Sequence, residues 1–194
     1  LVNGQIRRST ATTTGALKYY QSGGNVVING QGSDATAVTR AKLEVVNNGS
    51  VFSMSDGTIT IVRGGGTSFG DLYLRPASGS VTGGEIIFTQ VPSGWAVADT
   101  AQTYRMDASI PLNSLTVTGK TAATARSATV TLMVNPLVLN GSLTISNPQS
   151  FFDANVSSNL NVSLKGNFTN NGTYYPRLNT TTFNGGTQSI LGTS

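Results

Sequence analysis

Cysteine and histidine are both absent from this chain of 194 residues. The absence of cysteine excludes disulfides and thiolate metal sites. Their absence fits an extracellular protein that is stabilised by its hydrophobic core and its backbone hydrogen bonds without disulfides. The hydrophobic content of 38% is high enough to supply a continuous core.

Charged residues are scarce, at 10% of the chain against roughly 25% in ordinary soluble domains. The net charge of +4 comes from 12 basic and 8 acidic residues, and the only adjacent basic pair is Arg7 and Arg8. Nucleic-acid binding normally needs a clustered basic stripe with stacking aromatics, so we expect no nucleic-acid partner. Because Glu, Lys and Arg usually cover helix surfaces, their scarcity favours strands and turns.

Long apolar segments are also lacking. No run approaches the roughly 20 apolar residues that span a membrane as a helix, and the first residues do not show the pattern of a signal peptide. We therefore expect no membrane span. The first residue is Leu1 rather than an initiator methionine, so we expect a processed product or a piece of a longer chain.

The sequence does contain many short β-branched runs separated by turn residues. In segments 25–28, 58–62 and 129–134, apolar residues alternate with small polar ones, as in half-buried strands. Asn-Gly pairs, which turn the chain tightly because both residues tolerate positive φ, stand at Asn3-Gly4, Asn29-Gly30, Asn48-Gly49, Asn140-Gly141, Asn171-Gly172 and Asn184-Gly185. Such turns also join antiparallel hairpins, so a β-sandwich competes here with a parallel-stranded architecture.

Internal repeats favour the parallel architecture. Segments 112–117, 139–145 and 160–164 share a Leu and an Asn ahead of a Leu-containing strand, at a spacing of roughly 20 to 30 residues that is typical of solenoid coils. The sequence therefore predicts an all-β, elongated parallel β-helix (β-solenoid) that is one continuous segment over residues 1–194. A loop insertion or a helical turn is predicted near residues 94–106. The predicted core residues are Leu115, Val117, Leu139, Leu143, Ile145, Val162 and Leu164.

Three stretches carry a family resemblance: MVNPLVLNGSLTI at 133–145, LKGNFTNNGTY at 164–174 and TFNGGTQSILG at 182–192. They are similar to repeats in giant cell-surface proteins of Bacteroidota that are exported by type IX secretion, a group that includes gliding-motility adhesins. The resemblance implies that the parallel β-helix is right-handed, that the chain is exported to the bacterial cell surface, and that it acts as a spacer or an adhesin. It implies no catalytic residues.

Signals for catalysis are weak. Segment 66–70 has the Gly-x-Ser-x-Gly spacing of a nucleophile elbow, but a hydrolase of that type needs a histidine base, which this chain lacks. Polysaccharide-cleaving β-helix enzymes need two or three carboxylates close together. The acids here are dispersed, at Asp34, Glu44, Asp56, Asp71, Glu85, Asp99, Asp107 and Asp153. We therefore predict no enzyme, no cofactor and no metal site, with a carbohydrate-active enzyme as the less favoured alternative.

Two kinds of surface site are predicted. Asp99-Thr100-Ala101 resembles the short O-glycosylation signal of Bacteroidota, which makes Thr100 the candidate modification site. The aromatic candidates for contact with glycans or partner proteins are Tyr19, Tyr20, Trp95, Tyr104, Tyr174 and Tyr175. Packing in the core or in stacked aromatic ladders is the interpretation we prefer for these aromatic residues.

The predicted function is that of a structural or adhesive segment, a spacer or adhesin stalk, in a large secreted cell-surface protein. The expected partners are cell-surface anchoring or secretion machinery, or a glycan or other surface ligand, together with further repeats that continue the chain end to end. A subunit of a self-assembling extracellular fibre is the structural alternative, because exposed solenoid ends can also stack chain on chain.

Overall fold

The computed structural model describes residues 4–8, 14–30, 40–65, 70–90, 100–121, 125–155 and 157–193. Their regular structure is entirely β, with no helix in these ranges. The strands are β1 Lys18–Ile28, β2 Ala41–Ile61, β3 Gly70–Val81, β4 Glu85–Thr89, β5 Gln102–Ala108, β6 Ser114–Thr118, β7 Ala128–Leu132, β8 Leu137–Leu139, β9 Leu143–Ile145, β10 Ser150–Asp153, β11 Val162–Leu164, β12 Phe168–Asn170, β13 Thr173–Tyr175, β14 Thr181–Phe183 and β15 Ile190–Gly192.

Twelve of these strands form one sheet and three form another. The large sheet has the order β13-β10-β7-β5-β3-β2-β4-β6-β9-β12-β15, and β1 pairs with β2 outside this path. The small sheet has the order β14-β11-β8. Every pairing between the named strands is parallel. The all-β class and the parallel pairing predicted from the sequence are therefore confirmed.

The longest strand, β2, joins the two halves of the large sheet. It pairs with β3 from Ala41, opposite Gly70, to Met54, opposite Val81. Its last residues pair with β4, from Thr58 opposite Glu85. Between these points Asn47, Gly49 and Gly57 have positive φ angles of 83°, 79° and 87°, so the strand bends without ending. The eleven strands of the path form a half-barrel with a curl of 301°.

The predicted elongated, right-handed β-helix is therefore wrong. A solenoid of that kind would end its strands at each corner and keep its faces as separate sheets. Here β2 continues through its corners, and its partner β3 likewise pairs with it on both sides of the bend, so the hydrogen bonding passes from one face to the next within one curled sheet. Repeat spacing could not reveal this, because parallel strands stack like residues in either architecture.

The predicted insertion near residues 94–106 is also corrected in part. Residues 102–106 belong to β5, which lies between β3 and β7 in the large sheet. The alternation of Gln102, Tyr104 and Met106 towards the interior explains this strand, since all three side chains are buried. Residues 91–99 lie outside the described ranges.

The core consists of columns of apolar side chains stacked from strand to strand. In one column Leu115 pairs with Leu143, Leu143 with Phe168, and Phe168 with Ile190. Burying each such side chain is worth about 1.5 to 3 kcal/mol. The core residues predicted from the sequence are confirmed as buried: Leu115, Val117, Leu139, Leu143, Ile145, Val162 and Leu164.

Candidate functional site

A layer of buried charged residues lies on the side of β2, β3 and β5 that faces away from the core. Successive strand residues point to opposite faces. Leu43, Leu72 and Met106 are paired neighbours inside the core, so the residues beside them in the sequence occupy the other face. That face carries Lys42, Glu44, Asp71, Tyr73 and Asp107, all of them buried.

Lys42 and Asp71 form an ion pair at the centre of this charged layer. They lie opposite each other on β2 and β3, with Lys42 Nζ 2.9 Å from Asp71 Oδ1 and both side chains fully buried. The backbone N–H of Gly65 donates to Oδ1 at 2.9 Å, and that of Arg105 donates to Oδ2 at 2.8 Å. Lys42 Nζ also donates to the carbonyl oxygen of Arg63. Both carboxylate oxygens of Asp71 therefore accept a hydrogen bond from a backbone N–H, and the Lys42 amine has the Arg63 carbonyl oxygen as a second acceptor.

Burial favours the neutral form of both Lys42 and Asp71. Desolvation lowers the pKa of Lys42, and the attraction of Asp71 opposes that shift. Desolvation raises the pKa of Asp71, and Lys42 with the two backbone N–H groups opposes it. Removal of water penalises the charged form of either group, so the proton shared by the pair is held less firmly on the amine than in water.

Glu44 is held by two arginines from different parts of the chain. Arg40 Nε lies 2.7 Å from Oε1, and Arg8 Nε lies 2.9 Å from Oε2. The backbone N–H of Ala41 donates to Oε1 at 2.8 Å. Because Ile6 bridges to Leu43 beside this group, the ion pairs fix segment 4–8 against β2.

Asp107 connects β5 to β3 and to the turn after β7. Arg75 Nε lies 2.9 Å from Oδ2, although the Nε–H forms no hydrogen bond, so the contact is ionic. Asn135 donates to Oδ1 through its backbone N–H at 2.8 Å and through its side chain at 3.0 Å. The Arg75 guanidinium also lies 4.8 Å from the centre of the Tyr73 ring. Asp107 thus fixes the position of three neighbouring segments.

The chemistry of the charged layer is that of paired, immobilised charges. Removing one partner of a buried pair costs about 3 to 5 kcal/mol, because the other charge remains in a low-dielectric site. Within the described ranges, no three acidic side chains come together in a way that would hold a metal ion. Sequence reasoning missed the layer because it compared acids by their distance along the chain. The signal was present as charges alternating with apolar residues, in Lys42-Leu43-Glu44-Val45 and Asp71-Leu72-Tyr73-Leu74-Arg75.

The candidate modification site Thr100 lies just before β5 and is exposed. The Gln102 side chain donates to the Thr100 carbonyl oxygen at 3.1 Å and to its Oγ1 at 3.2 Å. Its hydroxyl oxygen is therefore oriented from one side and accessible from the other. Asp99, the first residue of the glycosylation signal, is outside the described residues.

Three of the aromatic candidates pack against the core. Tyr104 is fully buried within the core cluster and donates to the carbonyl oxygen of Thr89, so packing is the interpretation that applies to it. Tyr19 stacks on Phe52 with ring centres 5.3 Å apart. Tyr174 packs against the core residues Phe152 and Phe168, at 5.9 and 5.6 Å.

Tyr20 and Tyr175 are exposed, at 68% and 38%. Tyr175 belongs to an outward-facing row in which its ring stacks on Phe151 at 6.3 Å and lies under the Arg177 guanidinium at 4.9 Å. Arg177 in turn forms two hydrogen bonds to Asp153, at 2.8 and 2.7 Å. The structure thus places Tyr19 and Tyr20 together on β1 and Tyr174 and Tyr175 together on β13. Trp95 lies outside the described ranges.

Most of the large exposed apolar side chains of the described residues lie at the edge formed by β13, β14 and β15. Each of these strands is the last of its series and pairs on one side only. The large exposed apolar side chains on or beside these strands are Tyr175, Leu178, Phe183, Ile190 and Leu191. In the core column that ends here, the exposed fraction is 0% at Leu115, 1% at Leu143, 8% at Phe168 and 67% at Ile190. The core is therefore open at this edge.

The described residues include no helix that is long and apolar enough to cross a membrane. Comparison with protein-family models, with curated proteins and with solved structures finds no match for this chain.

Proposed function

We propose that this chain is a structural segment of a large secreted bacterial cell-surface protein, in which it acts as a spacer or adhesin stalk without a catalytic role. The observation that carries the proposal is the open edge of β13, β14 and β15. Sheet edges in proteins are usually protected by charges, proline or a covering element. None of the residues in these three strands is charged or a proline, and the core column reaches the surface at Ile190.

Such an edge is suited to extension by further parallel strands. A strand added beside β15 or β14 satisfies their outward backbone groups and covers Ile190 and Phe183 in the same step. Repeated addition of parallel strands with a continuous core lengthens the protein without requiring any binding pocket. This is the physical property that a stalk or spacer needs.

The row of Phe151, Tyr175 and Arg177 supports an adhesive role within the same proposal. An exposed aromatic ring offers a flat apolar surface, and the neighbouring guanidinium offers hydrogen-bond donors. Arg177 is fixed by Asp153, so this row is preorganised for contact with a glycan or a protein surface. The exposed Thr100 is the residue that we propose carries a surface modification.

A self-assembling fibre is the rival explanation of the same edge. In that case the additional strands belong to a second copy of the chain. Its β1, which pairs only with β2 among the described residues, is the opposite edge of the sheet. Contact between unlike edges does not close on itself and generates filaments. The two explanations therefore differ in whether the next strands are covalently continuous with this chain.

The proposal can be tested on cells of the organism that produces this protein. Antibodies against this chain are applied to intact cells, and the same antibodies detect the polypeptide after denaturation. Surface labelling together with a polypeptide many times larger than this chain supports the spacer. Surface filaments that dissociate to a subunit of this chain's own mass support the fibre and overturn the spacer. Reactivity only after the cells are lysed contradicts both.

A further inference from the structure

The buried Lys42–Asp71 pair has the arrangement of two reactants held together. Their strands are hydrogen-bonded neighbours, and the residues lie directly opposite each other in the register. Lys42 Nζ is 2.9 Å from Asp71 Oδ1, and neither side chain is exposed. Reactants that are held close together in a fixed orientation can gain an effective concentration of about 10⁵ M or more relative to free reactants.

We propose that Lys42 and Asp71 condense to an intramolecular isopeptide bond, which joins Lys42 Nζ to Asp71 Cγ and releases one water molecule. This inference goes beyond the proposed function and does not depend on it. It concerns a covalent link between β2 and β3, the two longest strands of the sheet.

The protonation state that the reaction needs is favoured by burial. An ammonium ion has no lone pair and a carboxylate is a poor electrophile, so the pair must react as a neutral amine and a neutral carboxylic acid. Desolvation lowers the pKa of Lys42 and raises that of Asp71. Transfer of one proton from Nζ to Oδ1 within the ion pair produces the neutral state without any external acid or base.

The bond changes balance without a further reactant. The Nζ lone pair attacks Cγ, and the electron pair of the carbonyl bond moves to Oδ2. The backbone N–H of Arg105, which lies 2.8 Å from Oδ2, stabilises the negative charge that develops there. One proton then passes from Nζ to the hydroxyl at Oδ1, the Cγ–Oδ1 bond breaks, and water leaves as the carbonyl re-forms.

The surroundings keep the two groups available to each other. Glu44 is paired with Arg40 and Arg8, whereas Asp107 is paired with Arg75. Among the described residues, Asp71 is the one carboxylate within ion-pair distance of Lys42. The Arg63 carbonyl oxygen accepts a hydrogen bond from Nζ and so holds the amine in this site.

The test is the intact mass of the folded 194-residue chain, measured after denaturation. The expected mass is lower than that of the sequence by one water molecule. Trypsin should fail to cleave after Lys42, and tandem mass spectrometry should identify one branched peptide that contains both Lys42 and Asp71. Lys18→Met removes an exposed amine and serves as the matched control, which should keep the loss of water.

Two variants separate the cross-link from other losses of water. Lys42→Met should have the full mass calculated from its own sequence, with no loss of water. The double variant Lys42→Met/Asp71→Leu should also have its full mass, and because it leaves no unpaired buried charge, it should retain its fold. A folded parent chain with the full sequence mass and normal cleavage after Lys42 would overturn the proposal. Dehydration located at Asp71 alone, as a succinimide, would also overturn it.

Discussion

Arg75 reaches from β3 to Asp107 on β5, with its Nε 2.9 Å from Oδ2 of a carboxylate that is fully buried. The two residues are not opposite each other in the register, since Tyr73 is the residue that pairs with Asp107. The contact is therefore diagonal, and it lies on the same face as the Lys42–Asp71 pair. A second aspartate–arginine pair, Asp153 with Arg177, lies at the surface and offers a direct comparison.

Asp107→Ala should lower the free energy of unfolding by about 1 to 3 kcal/mol, because it leaves the backbone and side-chain donors of Asn135 without their acceptor. The Arg75 side chain is 37% exposed, so water solvates the charge that loses its partner. Asp153→Ala removes a partly exposed pair and should cost about 0.2 to 1 kcal/mol. Urea denaturation of the two variants and the parent provides the values. Equal losses would show that the charged layer is not buried as described.

Leu143→Ala should lower the free energy of unfolding by about 2 to 5 kcal/mol, because it opens a cavity in the column between Leu115 and Phe168. Thr144→Ala, one residue further and on the opposite face of β9, should change it by less than about 1 kcal/mol. Thermal unfolding followed by circular dichroism measures both. A larger effect at Thr144 than at Leu143 would mean that Thr144, and not Leu143, faces the core.

Gly57→Ala tests the bend that keeps β2 continuous. Gly57 has a φ of 87°, and a Cβ at this position would lie 2.3 Å from the carbonyl oxygen of Gly24. The variant should therefore be destabilised by more than about 1 kcal/mol. Gly186 has open space around the position of its Cβ, so Gly186→Ala should be tolerated. Equal stability of the two variants in urea would contradict the bend.

Alkaline pH should destabilise the chain through its buried tyrosines. Burial raises the pKa of Tyr104 well above its ordinary value of 10.0, so the unfolded chain loses this proton at a lower pH than the folded chain. The contribution of Tyr104 is fully present below pH 10.0 and decreases above it, by up to about 1.4 kcal/mol per pH unit.

Tyr104→Phe should therefore make the loss of stability above pH 10.0 less steep. The slope should not vanish, because burial also raises the pKa of Tyr73 and Tyr19. Tyr20→Phe is the control, since it removes a hydroxyl from a largely exposed side chain. Urea unfolding at a series of pH values provides the slopes, and an unchanged slope in Tyr104→Phe would contradict the prediction.

The core columns could be predicted from the sequence because period-2 alternation is a local property. Leu143 and Ile145 flank Thr144, and this alternation alone indicates which side chains are buried. The parallel pairing could likewise be predicted, because repeats recur at similar spacing along the chain. These features depend on short segments whose residues all favour the same conformation.

The curl of the sheet and the charged layer depend on contacts between distant segments. Asn47-Asn48-Gly49 resembles a turn that ends a strand, and nothing local indicates that β2 continues through it and pairs with β3 on both sides. Lys42 and Asp71 are charged residues of the kind normally found at the surface. Only their positions opposite each other in the register show why both are buried.

The most direct test of an open edge at β13, β14 and β15 is sedimentation of the purified chain. An edge that accepts covalently continuous strands in the proposed spacer should also pair with other copies when this chain is isolated. The parent should associate as its concentration rises, and Ile190→Lys should weaken association at least about tenfold by placing a charge at the open end of the core column. Val134→Lys, which changes an exposed apolar residue away from this edge, should associate like the parent. A parent that remains monomeric, or an Ile190→Lys variant that associates as strongly as the parent, would contradict the account.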